Sequence, residues 1–118
     1  MTDIEVKDEK EFVVFTIAGD IEQDDSQHLS QMLDNYLAED QKHFFFYLAV
    51  SPFLDSAALT MLVTKAIDIK KMGGDIIFVA LSAEARETFS MTRLEKYFQF
   101  FNTEEDAKAF IAHKAIYG

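Results

Sequence analysis

The chain has 118 residues, 49% of them hydrophobic, including twelve Phe and four Tyr, which suits one compact domain over 1–118 with a buried core and leaves little room for a second. Its 21 acidic side chains against 11 Lys and Arg give a formal net charge of -10. A field of that sign opposes nucleic acid and an anionic membrane surface as partners and suits a basic groove on another protein. The absence of Cys excludes disulfides, Cys-ligated zinc and thiol catalysis.

In chain order, Met1 to Lys10 is charged and lacks the apolar stretch of a signal peptide. No apolar run approaches the roughly 20 residues a bilayer span needs, so a cytoplasmic protein with no direct membrane insertion is expected. Two strands are predicted, about Asp3–Lys7 and Phe12–Ala18, separated by the polar turn Asp8-Glu9-Lys10. After Gly19, a helix from Asp25 or Ser26 to Leu37 follows from the spacing of Leu29, Met32, Leu33, Tyr36 and Leu37. His43 to Ala49 is apolar on both faces, as expected of a central strand covered on both sides.

A loop with Ser51 and Pro52 leads to a long helix, about Ser56 to Met72. Leu59, Leu62, Val63, Ala66 and Ile67 form its expected buried stripe, while Thr60, Thr64, Lys65, Asp68 and Lys71 fall away from it. Gly73-Gly74 ends that helix and introduces the strand Asp75–Ala80. Ser82 can cap a helix over Ala83–Met91, Tyr97–Phe101 brings a short last strand, and Thr103-Glu104-Glu105-Asp106 opens a final helix with a near capping box. Strands alternating with helices imply an α/β domain with a largely parallel sheet, and the initial strand pair implies an antiparallel edge.

Catalytic machinery is not visible. His28, His43 and His113 lie far apart and form no ligand spacing such as H-x-H or H-E-x-x-H, so solvated or core-edge roles are expected, and no metal. Of the acidic clusters Asp24-Asp25, Glu39-Asp40 and Glu104-Glu105-Asp106, two stand at helix starts, where the helix dipole favours negative charge. No phosphate-binding glycine loop or nucleophile elbow is present, and Gly73-Gly74 precedes a strand, the wrong side for cradling a phosphate.

One junction carries more information: Leu54-Asp55-Ser56-Ala57-Ala58-Leu59, between strand and long helix. Asp55 or Ser56 serves there as a helix cap, worth about 1 kcal/mol. The same position also places the Ser56 hydroxyl near the surface beside unpaired backbone N–H groups, where a phosphate meets the positive helix end without unfolding anything. Ala57 and Ala58 are small enough for another backbone to approach. A surface of this kind can bind unmodified and be switched off by local repulsion. Spacing by itself leaves both readings open.

Three segments resemble the STAS family, the fold of anti-sigma-factor antagonists and of sulfate-transporter tails. Phe15-Thr16-Ile17-Ala18-Gly19-Asp20-Ile21-Glu22 is similar to its strand ending in G-E-L-D, and Pro52 to Leu59 to its F-[IM]-D-S-[ST]-G-[LV]. Lys70 to Val79 is similar to the helix end, Gly-Gly and strand that follow. The resemblance implies a mixed central sheet of about five strands with about four helices, mainly on one face. It implies that Ser56 is the serine phosphorylated by a partner kinase that doubles as the anti-sigma factor. Unphosphorylated antagonist binds that kinase and frees sigma, and phosphorylation breaks the complex. The kinase uses the ATP, so the chain itself needs no cofactor, and a monomer or weak dimer is expected. The implied partner face holds Glu22, Asp55, Ser56, Ala57, Ala58 and Met61; Met61 is equally readable as a gap-filling core residue.

The chain departs from the family at Ala58 (Gly there), at Glu22 (Asp in G-E-L-D), and at Tyr47 and Ala49, which replace the Asp and Ser of D-L-S. The alternative is a STAS subunit of a membrane lipid-transport ATPase complex, which needs no phosphoserine. A phospho-Asp receiver domain is set aside, because Tyr47 stands in the central strand and the strand Asp75–Ala80 has no Lys.

Overall fold

The computed structural model describes residues 3–19, 23–48 and 56–117. In chain order these form β1 (Asp3–Asp8), β2 (Val13–Ala18), α1 (Gln23–Ala38), β3 (His43–Leu48), α2 (Ser56–Lys71), β4 (Asp75–Val79) and α3 (Ala83–Met91). A 3-10 turn at Glu95–Tyr97, β5 (Gln99–Phe101) and α4 (Glu104–Tyr117) complete the order. The strands make one sheet in the order β1-β2-β3-β4-β5, with β1 antiparallel to β2 and every other pair parallel.

This order determines where the helices go. From β2 to β5 the chain steps to the neighbouring strand each time without reversing, and such crossovers are right-handed. All three crossover helices therefore lie on one face. Leu29 and Leu33 of α1, the buried stripe of α2 and Phe89 of α3 share a core there with Phe15, Phe46 and Phe78. The opposite face is left to α4, whose Ala107 and Ile111 pack with Val14, Phe45, Ile77 and Val79. Both faces of β3 and β4 are thus covered, which is why these strands are apolar without alternation.

The register places Phe15, Phe46, Phe78 and Phe100 side by side across four strands. Phe15 and Phe46 stack with ring centroids 5.1 Å apart, Phe46 and Phe78 lie 5.7 Å apart, and Phe78 and Phe100 lie 5.6 Å apart. On the α4 face, Phe12 stacks on Phe45 at 4.5 Å. A one-residue slip of any strand would exchange the two faces and break both sets.

Glycine ends α2 for a definite reason. Gly73 has a φ of 83° and donates to the Lys70 carbonyl, while Gly74 donates to the Ile69 carbonyl, a Schellman closure. A Cβ on Gly74 would fall 1.9 Å from the Lys42 carbonyl oxygen, so only glycine lets the chain enter β4 this close to β3.

Several expectations need correction. The buried stripe of α2 is Ala58, Leu59, Leu62, Ala66 and Ile69. Val63 is half-buried and Ile67 is 40% exposed, because the helix is rotated toward Ala58 and Ile69. Lys65 does not fall away into solvent but packs between helices against Asp34. Tyr97 belongs to the 3-10 turn rather than to the last strand, and Ala80 leaves β4 with a φ of 55°. Ser82 caps α3 by accepting from the Ala85 N–H, and Thr103 caps α4 by accepting from Asp106. The loop with Ser51 and Pro52, and Ala49, lie outside the described residues. Among the described residues no helix is long and apolar enough to cross a membrane.

Phe46 is fully buried at the centre of the row, whereas Phe100 is half-buried on the edge strand. Phe46→Ala should cost about 3–5 kcal/mol of unfolding free energy and Phe100→Ala clearly less, as read from urea midpoints. Equal losses would show that burial within the row does not set the cost.

Candidate functional site

Because β2 to β5 are parallel, their C-terminal ends share one edge of the sheet, and all four helices begin there. Each helix start carries partial positive charge on its unpaired N–H groups. Asp24 and Asp25 sit in the first turn of α1, Glu84 in that of α3, and Glu104, Glu105 and Asp106 in that of α4. The first turn of α2 holds no acidic residue. Its first residue is Ser56, exposed, followed by exposed Ala57.

Ala58 is different. It is fully buried against the sheet, so its side chain is not available to a partner, contrary to expectation. The physical reason is helical geometry: Ala58 stands one turn before Leu62, two before Ala66 and three before Ile69, on the core stripe. It also shows that Ala in place of the family glycine is accommodated as an ordinary helical residue. Glu22 and Asp55 lie outside the described residues.

Met61 is half-buried: it packs against the core, as a gap-filling residue would, and also lines a groove of about 410 Å3 between α1 and α2. The groove is flanked by Gln27, Ser30, Gln31 and Asp34 of α1 and by Ala57 and Met61 of α2. The Asp34–Lys65 ion pair links the two helices beyond it. The α1 side of this groove was missed in the sequence. Its trace is the polar spacing 27, 30, 31, 34, which matches one helix face but is indistinguishable from a solvated face.

At the same edge, on the α4 face, Tyr47 fills the place of the family's aspartate. Its hydroxyl donates to Glu104 Oε1 at 2.7 Å, and Lys108 lies 3.1 Å from Glu104 Oε2. Burial and the Glu104 carboxylate hold the Tyr47 phenol well above its usual range, so it stays a donor. The same hydrogen bond, with Lys108, lowers Glu104 below the ordinary glutamate range. A hollow of about 490 Å3 opens beside them, lined also by Thr16, Leu48 and Val79. A carboxylate thus reaches the strand end from α4, a pairing no spacing between 47 and 104 announces.

The other edge of the sheet holds a separate polar group. Lys114 donates to Asp75 Oδ2 at 2.6 Å, and His43 Nδ1 lies 3.9 Å from the same oxygen, too far for a hydrogen bond. Burial, the largest influence, lowers the His43 pKa and keeps the ring neutral despite Asp75. His43 therefore has the core-edge role expected of it. His28 and His113 are exposed.

The STAS domain family matches residues 3–107 of the chain. Among solved structures, an anti-sigma factor antagonist from Mycobacterium paratuberculosis is 22% identical with a TM-score of 0.77, covering 95% of this chain and 95% of that one. An anti-sigma-factor antagonist (STAS) domain protein from Planctomyces limnophilus is 16% identical with a TM-score of 0.73, covering 92% of this chain and 97% of that one. The Bacillus cell fate determinant SpoIIAA in its phosphorylated form is 15% identical with a TM-score of 0.69, covering 92% and 99%. At these identities the likeness is one of fold.

Glu104 is lowered in the folded chain, so its contribution is complete above the ordinary glutamate value of 4.5 and is lost as pH falls through the lower folded value. Tyr47→Phe removes the largest cause of that lowering. The variant should lose about 1 kcal/mol at neutral pH, a hydrogen bond to a partly screened carboxylate, and the difference from wild type should shrink on acidification. Urea denaturation from neutral pH into the acid range measures it. A difference independent of pH would mean that Tyr47 acts through packing alone.

Proposed function

The chain belongs to the STAS domain family, and from that premise we propose that it is an anti-sigma-factor antagonist whose binding is controlled at Ser56. Unphosphorylated, it sequesters an anti-sigma factor that is also a serine kinase and so releases a sigma factor. Phosphorylation by that kinase, with its own ATP, dissolves the complex. The chain contributes a binding surface and an acceptor hydroxyl and performs no catalysis itself.

The observation that carries this reading is the position of Ser56. It is exposed at the start of α2, next to exposed Ala57, while Ala58 and Leu59 directly behind it are anchored in the core. A phosphate added there sits at the positive end of a helix without an acidic side chain in its first turn. The fold tolerates it, and the change falls on the partner instead. The adjoining α1–α2 groove, with Met61 on its wall, extends the face over polar and apolar contact. The acidic net charge favours a basic partner surface, and a phosphate brings up to two further negative charges and bulk to a fitted interface.

A second reading, a STAS subunit of a membrane lipid-transport ATPase complex, draws on Tyr47. Where the family has an acidic side chain beside the phosphoserine, this chain has a phenol already committed to Glu104. A subunit without phosphoregulation has no need of that acid.

Wild-type and Ser56→Asp proteins used side by side as bait in host extract, with captured proteins and bait phosphorylation read by mass spectrometry, separate the two. The switch predicts that wild type captures a serine-kinase-like ATPase, that the Asp variant holds it about tenfold or more weakly, and that Ser56 carries phosphate. Equal capture of a transporter ATPase by both baits, with Ser56 unmodified, would establish the second reading.

A further inference from the structure

Away from the Ser56 edge, the C-terminal half of α2 and the 3-10 turn enclose a hollow of about 450 Å3. Ala66, Ile67, Lys70 and Lys71 of α2 line it together with Lys96 and Tyr97 of the turn. It stands at the far end of α2, roughly 20 Å along the axis from Ser56 at the helical rise per residue.

Three of the chain's 11 cationic side chains meet here, on a protein of formal net charge -10, and no acidic side chain lines the hollow. Four of the six other lysines have carboxylate partners, Lys7 with Glu9, Lys65 with Asp34, Lys108 with Glu104 and Lys114 with Asp75, while Lys10 and Lys42 stand singly and do not cluster in this hollow. Among the described residues, no carboxylate forms an ion pair with Lys70, Lys71 or Lys96. Lys96 instead lies 5.3 Å from the centroid of the Tyr97 ring. Part of the pattern has an ordinary origin, since Lys70 and Lys71 occupy the last turn of α2 and offset its dipole. That does not account for Lys96, which comes from another element, nor for Ile67, a large apolar side chain left 40% exposed at the same hollow.

An apolar contact rimmed by unpaired ammonium groups is complementary to an acidic segment carrying an apolar anchor. The anchor gains from desolvation at the centre, and the charges select sign and speed encounter. We infer that this hollow docks a short acidic peptide segment of a partner protein, its apolar side chain against Ile67 and Tyr97 and its carboxylates on Lys70, Lys71 and Lys96. An anionic membrane also offers negative charge, but an extended surface meets the field of the whole chain, which repels it. A short segment responds mainly to the charges within a Debye length, about 8 Å at physiological salt, and the charged residues that line the hollow itself are Lys70, Lys71 and Lys96. The separation from Ser56 lets this segment and a partner at the Ser56 edge bind at once, so the inference does not rest on the proposed switch.

The test is a heteronuclear NMR titration of the full chain with a short synthetic peptide alternating paired Glu with Leu and Phe. The comparators are the same peptide with Gln for Glu, the same peptide with Ala for Leu and Phe, and phosphatidylserine vesicles. Shifts should centre on Ile67, Lys70, Lys71, Lys96 and Tyr97, and both altered peptides should bind more weakly. Lys96→Glu, outside any α-helix, should weaken binding about tenfold, as should Ile67→Ser, while raised salt weakens the wild type and leaves Lys96→Glu little changed. Shifts centred elsewhere, no binding, undiminished affinity in Lys96→Glu, or equal binding of the Gln peptide would overturn the inference. Binding to the vesicles in preference to the peptide would overturn it in favour of a membrane surface.

Discussion

Phe15, Phe46, Phe78 and Phe100 stand in one row across four strands, three of them with no exposed surface. Offset aromatic contacts gain from both area and geometry, and a row of them tolerates only one register. With that register set, the alternate positions Val14, Phe45 and Ile77 must face the other way, and α4 covers them. The sheet is therefore a partition between two cores, and every helix is positioned by which side of the row it covers.

The consequence for function is directional. A sheet that grows by adding parallel strands on one side has no point where its order reverses, so it lacks the crevice in which doubly wound folds hold ligands. What it offers instead is an edge where all four helices start. Three of those starts carry acidic residues in the first turn, whereas the first turn of α2 carries none and opens on exposed Ser56. The start of α2 is backed by buried Ala58 and Leu59, with the α1–α2 groove beside it.

Charge is distributed with the same economy. Acidic residues dominate the composition, yet the lysines are not uniformly neutralised. Lys65 and Lys114 brace elements against one another through Asp34 and Asp75, whereas Lys70, Lys71 and Lys96 converge around Ile67 at the end of α2 remote from Ser56. One helix thereby presents two chemically different ends, a hydroxyl at its dipole-positive start and a lysine cluster around an apolar side chain at its finish.

Much of this was legible in residue order alone. The alternation of strands and helices, the antiparallel first pair, the Ser82 and Thr103 caps and the Gly73-Gly74 stop all follow from local rules of spacing, capping and backbone freedom, which act within a few residues. The junction at Ser56 was readable for the same reason. What local rules could not supply was rotation and pairing. Periodicity marks a stripe on α2 but not its angle to the sheet, so it places Ile67 inward and leaves out Ala58 and Ile69, whereas packing on the row buries those two and exposes Ile67. Nor could distance along the chain bring Tyr47 to Glu104, Asp75 to Lys114, or Lys96 to Lys70. The sequence by itself determined the elements, their order and the exposed serine at a helix start; the tertiary structure alone decided which faces meet, because contacts between residues far apart in the chain exist only once the sheet register has been chosen.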